Sequence, residues 1–173
     1  METVHADVVV VGFGAAGACA AIEAADAGAR VVVLDRFEGG GATALSGGVV
    51  YAGGGTSVQR EAGVQDTPEA MLAYLQREVG DAVHPDTLRA FCDGSREMIA
   101  WLQQQGVPFE GSLAPHKTSY PGNDHYLYYS GSEIAGAFRD VAAPAPRGHR
   151  TKAPGASGKQ LFKALGAAAR RRG

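Results

Sequence analysis

The chain has 173 residues, 45% of them hydrophobic, and a formal net charge of −2 at pH 7. This composition is typical of a globular domain, and the balanced charge gives no electrostatic reason to expect nucleic acid or an anionic membrane as a partner. Two cysteines are too few for a disulfide framework, which favours a reducing, cytoplasmic location. No apolar run approaches the roughly 20 residues of a transmembrane segment, and residues 1–6 do not resemble a secretory signal.

The first part of the chain has the pattern of a strand, a glycine-rich bend and a helix. Four valines at 8–11 are followed by Gly-Phe-Gly-Ala-Ala-Gly at 12–17 and by helix-forming residues at 18–27. A second apolar strand at 30–34 ends at Asp35. These elements in this order form the dinucleotide-binding fingerprint. The sequence therefore predicts an α/β fold with a Rossmann-like start; the alternative is an ordinary αβ turn with incidental glycines.

Each glycine of the motif has a physical role in the predicted bend. Gly12 allows the tight turn from strand to helix, and Gly14 lets a pyrophosphate approach the backbone without meeting a Cβ atom. Gly17 lets the helix pack closely on the strand. The helix that begins near Ala15 directs free N–H groups and its positive dipole end toward the phosphates.

Asp35 lies where a carboxylate could accept hydrogen bonds from an adenosine ribose. Its charge would repel a 2′-phosphate and so disfavours NADP, although the neighbouring Arg36 leaves that question open.

A second glycine-rich segment follows at residues 38–56, with Thr43 and Ser46 between its glycines. Apolar residues interrupt it at 49–51, unlike a flexible Gly/Ser linker, and they predict a short strand. Glycine recurs where backbone must come close to a ligand or to another chain segment. This pattern favours an ordered, ligand-contacting loop over a plain surface loop, and it argues against an NAD-dependent enzyme, since NAD folds usually need only the first loop.

Two helices are predicted in the middle of the chain. A capping residue at Asp66 or Thr67 and the following proline start a helix that runs to residue 79 and ends at Gly80. The second runs over 85–106, with a possible bend at Gly94. Helical spacing places seven apolar residues in the core: Met71, Leu72, Leu75, Leu88, Phe91, Met98 and Trp101.

Residues 107–158 are rich in Pro, Gly, His and Tyr, and only 126–129 form a convincing strand. A final amphipathic helix is predicted over 159–172. Only two strands, near 7–11 and 30–34, have the character of a parallel sheet, whereas a doubly wound sheet needs more. We therefore expect an incomplete sheet with a helical and irregular insert, in a chain that is the N-terminal part of something longer.

Several residues are candidates for a substrate site, and each has a structural alternative. Tyr51 could face a substrate or pack as a strand aromatic, with neither favoured. The tyrosines of the irregular region could line an apolar slot, although a locally packed hairpin is favoured: Tyr120, Tyr126, Tyr128 and Tyr129. Three basic residues are more plausible as loop anchors than as contacts to a carbonyl: Arg147, His149 and Arg150. Three other histidines lack metal-ligand spacing, so no metal site is predicted: His84, His116 and His125.

The motifs at 7–17, 32–36 and 40–48 together resemble the FAD-binding domain of the fumarate reductase/succinate dehydrogenase flavoprotein superfamily. Within that superfamily, the five-residue gap between the paired glycines of the second loop is similar to the 3-ketosteroid dehydrogenases. The segments Gly-Gly-Gly-Thr at 53–56, Tyr-Ser-Gly-Ser-Glu at 129–133 and Ala-Pro-Ala-Pro-Arg-Gly-His at 143–149 resemble most the branch that desaturates the 4,5 bond.

The resemblance implies a flavin enzyme that removes two hydrogens from a CH–CH unit next to a carbonyl, with hydride passing to the flavin. It implies an apolar, steroid-like substrate and an electron acceptor. The residues implied to hold FAD are Gly12, Gly14, Ala15, Ala16, Gly17, Asp35, Arg36, Gly40, Gly41, Ala42, Thr43, Ser46, Gly47 and Gly48. Members with covalent flavin carry a histidine in the second loop, and none lies between Gly41 and Gly48, so non-covalent FAD is expected.

The resemblance places the catalytic residues beyond this chain, so none is assigned. It divides the chain into a first βαβ unit and glycine-rich loop at 1–57, a helical segment of the same domain at 58–110, and an irregular segment with the terminal helix at 111–173. The rest of the FAD domain and the substrate cap are expected to be missing. Two alternatives stay open: a fumarate/succinate-type flavoprotein, and a truncated dinucleotide-binding fragment without turnover. We expect these residues alone to be inactive.

Overall fold

Residues 3–173, the part that the computed structural model describes, form seven helices and five short strands. In chain order they are β1 (Val8–Val11), α1 (Ala15–Asp26), β2 (Val31–Leu34), α2 (Gly41–Leu45), β3 (Val49–Tyr51), α3 (Ser57–Glu61), α4 (Pro68–Val79), α5 (Pro85–Gln104), β4 (Leu127–Tyr128), α6 (Gly136–Arg139), β5 (Gly148–Arg150) and α7 (Gly158–Arg170). The prediction about a signal at residues 1–6 lies partly outside the described residues.

The first three elements form the predicted βαβ unit. β1 pairs with β2 in parallel, with Val8 opposite Val31 and Val11 opposite Leu34. The consecutive valines suit strands because β-branched side chains pack well on a pleated surface. The sheet has these two strands only, within the described residues. One face remains open, since the Val9 and Val11 side chains are 55% and 82% exposed.

A second sheet has the strand order β3-β5-β4 and is antiparallel throughout. The predicted strands near 49–51 and 126–129 are confirmed as β3 and β4. The central strand β5 lies in the region that was expected to be irregular, and that expectation is wrong there. Its residues Gly148, His149 and Arg150 are all buried, so the alternation of apolar and polar residues that marks a strand in sequence is missing.

The two long helices in the middle of the chain confirm their predicted limits. Thr67 caps α4 by accepting a hydrogen bond from the Ala70 N–H, and Gly80 follows its last residue. α5 continues through residue 94 as one helix and ends at Gln104. α4 packs against α5, and most of the predicted core residues are at least half-buried. Phe91 is the exception, because 37% of its surface is exposed.

Helices α2, α3 and α6 were not predicted, and α6 lies in the region that was expected to be irregular. α3 begins with a capping box, in which the Thr56 hydroxyl accepts from the Gln59 N–H while the Gln59 side chain accepts from the Thr56 N–H. This reciprocal pairing satisfies two N–H groups that would otherwise lack acceptors at the helix start.

The main core lies between α1, α5 and α7, where Ile22, Ile99 and Leu165 are almost completely buried. α7 packs against both α1 and α2, which brings the last helix behind the second glycine-rich loop. Along residues 3–173, no helix combines the length and the apolar character that crossing a membrane requires.

Candidate cofactor site at the first glycine-rich bend

The bend between β1 and α1 favours glycine at two positions, at Gly12 because of its backbone conformation and at Gly17 because of the space available. Gly12 has a φ of +96°, a left-handed conformation that residues with a Cβ atom rarely adopt. A Cβ atom on Gly17 would lie 1.8 Å from the Gly12 carbonyl oxygen and 3.3 Å from a methyl group of Val10. The close approach of α1 to β1 therefore depends on the missing side chain, as the sequence predicted.

The first turn of α1 presents unused donors. The Ala15 N–H donates to Thr43 Oγ1 at 3.0 Å, whereas the N–H groups of Ala16 and Gly17 have no acceptor among residues 3–173. The aligned peptide dipoles of this 12-residue helix add positive potential at the same point. An anion with several oxygen acceptors, such as a diphosphate, fits these donors.

The second glycine-rich loop lies directly against the first. The Gly40 N–H donates to the Phe13 carbonyl oxygen at 2.7 Å, and Thr43 reaches the start of α1. A Cβ atom on Gly14 would lie 3.4 Å from Thr43 Oγ1, so the Thr43 side chain lies close to the first loop. The structure thus brings two groups of predicted cofactor residues, from 12–17 and from 40–43, to one place.

Asp35 joins the same bend from the end of β2. Its Oδ2 accepts from the Phe13 N–H at 2.6 Å and its Oδ1 from the Phe37 N–H at 2.8 Å. These two hydrogen bonds hold the pKa of the carboxyl below its usual range, so it is ionised at neutral pH. Because each carboxylate oxygen can accept a second bond, Asp35 retains capacity for a ribose hydroxyl. Arg36 is not brought into this group: it is exposed, and its guanidinium stacks on the Phe37 ring at 5.2 Å.

The back of the second loop rests on the start of α7. The Gly158 N–H donates to the Ser46 carbonyl oxygen at 3.1 Å, and Ser157 Oγ donates to the Gly47 carbonyl oxygen at 2.9 Å. Gly48 has a φ of +65°, and a Cβ atom there would lie 2.6 Å from the Ser157 carbonyl carbon. The opposite side of the loop is open, since Gly41 and its neighbour Ala42 are exposed along with Ser46.

Two clefts border the site without enclosing it. One, of about 650 Å³, lies beside β2 and the end of α7 and includes Asp35 in its wall. The other, of about 540 Å³, is an apolar groove between α1, α5 and α7 that includes Ala15 and Ala16. None of the candidate cofactor residues at 40–48 lines either cleft, so this part of the candidate site is a surface platform rather than a closed pocket.

The three basic residues near β5 are buried anchors, as the sequence favoured. Arg147 forms an ion pair with Asp66, with Nη2 2.7 Å from Oδ1 and both side chains fully buried. Burial raises the pKa of Asp66, but the hydrogen bonds and charge of Arg147 oppose it and the net change is downward. Nη1 of the same arginine has no hydrogen-bond partner among the described residues. Arg150 is also fully buried, and its guanidinium donates to main-chain carbonyl groups, including that of Gly155 at 2.7 Å.

His149 lies between these two arginines and is completely buried. Its Nε2 lies 2.7 Å from Thr56 Oγ1, and its Nδ1 lies 3.0 Å from the Arg147 carbonyl oxygen. A carbonyl oxygen can only accept, so Nδ1 carries the proton and Nε2 accepts from the threonine hydroxyl. Burial lowers the pKa of His149 to about 4, which makes the ring neutral at pH 7.

The aromatic candidates divide between the core and the surface. Tyr126 and Tyr128 are buried in and beside β4, as the packed-hairpin alternative expected. Tyr51 is half-buried, and its hydroxyl donates to Glu133 Oε1 at 3.2 Å. Burial and then the Glu133 carboxylate raise the pKa of Tyr51, and burial raises the pKa of Glu133 itself. Tyr120 is partly exposed and contacts the second loop, a contact that the sequence does not predict.

The other histidines are surface or loop residues, as expected: His84 and His116 are exposed and His125 is half-buried. Within the part of the chain that the structure describes, no group of histidine, cysteine, aspartate and glutamate residues could hold a metal ion.

A parallel βαβ crossover, a side-chain-free bend, free N–H groups and an acidic residue after β2 define a dinucleotide-binding unit. The chain belongs to the FAD binding domain family, whose model matches residues 7–173. FAD is the cofactor that this family binds, and the donors and glycines described above fit its diphosphate.

Three relatives extend this assignment. The chain is 49% identical to the 3-oxo-5-alpha-steroid 4-dehydrogenase of Comamonas testosteroni over 162 residues, which are 92% of this chain and 30% of that enzyme. It is 44% identical to the 3-oxosteroid 1-dehydrogenase of Mycobacterium tuberculosis over 115 residues, 66% of this chain and 20% of that enzyme.

Among solved structures, it resembles the 3-ketosteroid-delta4-(5alpha)-dehydrogenase of Rhodococcus jostii RHA1, crystallised in complex with 4-androstene-3,17-dione. The TM-score is 0.93 with 44% identity, over 97% of this chain and 36% of that one. The fold is therefore an α/β unit similar to the FAD-binding domain of steroid dehydrogenases. The chain spans about a third or less of the length of each of these relatives.

Proposed function

We propose that this chain holds FAD non-covalently in a Rossmann-like domain and is the cofactor-binding part of an oxidoreductase acting on 3-ketosteroids. The observation that carries the proposal is the β1–α1 bend, where the glycine geometry and the free N–H groups suit a diphosphate. The likeness to steroid dehydrogenases over nearly the whole chain supports the substrate class.

We assign the predicted cofactor residues to three parts of FAD. The donors at the start of α1, with Gly12, Gly14, Ala15, Ala16 and Gly17 around them, would hold the diphosphate. Asp35 would accept from the adenosine ribose, with Arg36 beside the adenine. The second loop would line the diphosphate and the isoalloxazine ring: Gly40, Gly41, Ala42, Thr43, Ser46, Gly47 and Gly48.

When bound, FAD would supply the redox chemistry: it would accept a hydride from a CH–CH unit next to a carbonyl, while the second hydrogen leaves as a proton to a base and a C=C bond forms. The residues of this chain bind and orient the cofactor. Its Asp35 carboxylate is ionised at neutral pH, and its buried His149 is neutral, with both ring nitrogen atoms bonded within the chain. Acid–base groups for the substrate are assigned to the remainder of the protein.

FAD titration tests the first half of the proposal, with isothermal calorimetry or flavin fluorescence as the readout. We expect saturable binding of one FAD per chain, and the absence of binding would contradict the cofactor assignment. A dye-linked assay of the full-length protein tests the second half. Reduction of the dye with a 3-ketosteroid and not with succinate supports the steroid assignment, whereas the reverse result would favour the fumarate/succinate-type alternative.

The non-covalent state has its own test. Residues 41–48 contain no histidine to attach the flavin, so acid precipitation of the holo-protein should leave all the yellow chromophore in the supernatant. Flavin retained in the washed pellet would contradict this part of the proposal.

We also propose that the segments 1–57, 58–110 and 111–173 belong to one domain. Hydrogen bonds and an ion pair connect all three, since β3 pairs with β5 and Asp66 pairs with Arg147. The electron acceptor and the cytoplasmic location stay predictions.

A further inference from the structure

Tyr120 lies at a junction of three chain segments, behind the second glycine-rich loop. Its hydroxyl is 2.8 Å from the Gly47 carbonyl oxygen, 3.0 Å from that of Gly155 and 2.8 Å from Nε of Arg150. The Ser157 N–H also points at this hydroxyl, at 3.4 Å. Although the residue is 37% exposed, its one polar atom is surrounded by partners.

The donors and acceptors around the Tyr120 hydroxyl fix the direction of each hydrogen bond. A tyrosine hydroxyl has one proton to donate and accepts through its oxygen. Nε of Arg150 and the Ser157 N–H can only donate, so the hydroxyl accepts from both. Its proton is then available for a carbonyl oxygen, and the Gly47 oxygen is the nearer of the two. The Gly47 carbonyl group is therefore bound from behind by Tyr120 and by Ser157 Oγ.

The ring of Tyr120 adds a steric contact to the same glycine. A Cβ atom on Gly47 would lie only 2.7 Å from Cε2 of the ring, so the ring packs against the Cα atom of this residue. The Arg150 guanidinium lies over the same ring, 4.6 Å from its centroid, and this cation–π contact adds to the support. Since Arg150 is fully buried and bonded to several carbonyl groups, it provides a rigid support.

We propose that Tyr120 is a positioning residue for FAD, which fixes the backbone of Gly47 and Gly48 through its hydrogen bond to the Gly47 carbonyl group. This inference rests on the proposed function, which places that backbone beside the isoalloxazine ring. Tyr120 itself does not contact the reacting atoms. Its effect is to prevent rotation of the peptide group that follows Gly47, so that the Gly48 N–H keeps its hydrogen bond to Ser46 Oγ, at 3.1 Å, and the loop keeps its shape.

The test compares FAD binding by the parent protein with that of Tyr120→Phe, which keeps the ring and removes the hydroxyl. We expect the Kd for FAD to rise about tenfold, equivalent to ~1.4 kcal/mol, and the visible absorption band of the bound flavin to shift at saturating FAD. Tyr129→Phe is the matched control, because the Tyr129 hydroxyl makes no hydrogen bond within residues 3–173, and it should leave both readouts unchanged. A role limited to folding would lower the melting temperature of the apo-protein without changing the spectrum at saturation.

Ser157→Ala provides a second variant in case Tyr120→Phe does not fold. It removes the other donor to the Gly47 carbonyl group, so it should also weaken FAD binding. The two effects should be non-additive in the double variant, because both donors act on one oxygen atom. An unchanged Kd and spectrum in the folded variants would overturn this inference and leave the cofactor assignment intact, whereas a parent protein that binds no FAD would remove both.

Discussion

Protonation of His149 should destabilise the folded protein as the pH falls. The ring is completely buried, and both of its nitrogen atoms are committed: Nδ1 donates to the Arg147 carbonyl oxygen and Nε2 accepts from Thr56 Oγ1. A proton on Nε2 would place a second donor facing the threonine hydroxyl, which already accepts from the Gln59 N–H. It would also create a charge in a site without solvent, next to the buried Arg147.

The magnitude follows from the difference between the folded and unfolded pKa values. Burial lowers the pKa of His149 from 6.5 to about 4. Between these values the unfolded chain binds a proton that the folded chain does not, so the free energy of unfolding falls as the pH decreases. The contribution is complete above pH 6.5 and is lost as the pH falls toward 4. At about 1.4 kcal/mol per pH unit, the whole loss amounts to about 3 to 4 kcal/mol.

Urea unfolding of the apo-protein between pH 4.5 and 7.5, followed by far-UV circular dichroism, measures this slope. His149→Gln provides the comparison, because glutamine keeps a polar side chain that does not titrate. Carboxyl groups elsewhere contribute equally to the pH dependence of both proteins. The difference between the two pH profiles therefore measures the contribution of the His149 imidazole to the free energy of unfolding. We expect the parent to lose more stability than the variant on acidification. Parallel profiles would refute the assignment of a neutral, unprotonated histidine at this position.

Other substitutions test the bend and the buried ion pair. Gly17→Ala introduces the Cβ atom that would lie 1.8 Å from the Gly12 oxygen, so FAD affinity should fall at least about tenfold in calorimetry. Gly94→Ala is the matched control, because the added Cβ atom would meet no atom within 4 Å outside the adjoining helix backbone. Alanine in a helix interior should raise the free energy of unfolding in urea by about 0.5–1 kcal/mol without a change in Kd. Asp66→Asn leaves Arg147 as an unpaired buried charge and should cost about 3–5 kcal/mol in the same unfolding assay; a loss below about 1 kcal/mol would contradict it.

The elements that the sequence predicted correctly are those whose signals are local. The valine run of β1, the glycine bend and the proline and threonine at the start of α4 each specify structure through neighbouring residues. α3 had a readable signal as well, since Thr56 and Gln59 have the spacing of a capping box. In contrast, α2 covers five residues with a glycine at its start, and its formation depends on packing against α7.

The parts that could not be predicted depend on distant contacts. β5 is a strand because β3 and β4 pair with it on both sides. Its buried residues include an arginine and a histidine, residue types that a hydropathy pattern places on the surface. The glycines of the candidate site could be predicted from the sequence, because the φ angle and the missing Cβ atom are properties of a single residue. The role of Tyr120 could not be predicted from the sequence, because it depends on contacts with Gly47, Arg150 and Ser157 that form only in the folded chain.

The hydrogen bond between Ser157 and Gly47 joins residues 110 positions apart, which has a consequence for biosynthesis. A ribosome releases the nucleotide fingerprint first, and early segments of a chain generally fold before later ones. Here, however, the loop next to that fingerprint acquires its support from a segment 110 residues later in the chain, and contacts of such separation form slowly. We therefore expect FAD to bind after α7 has left the exit tunnel of the ribosome, and not to guide the folding of the earlier segments.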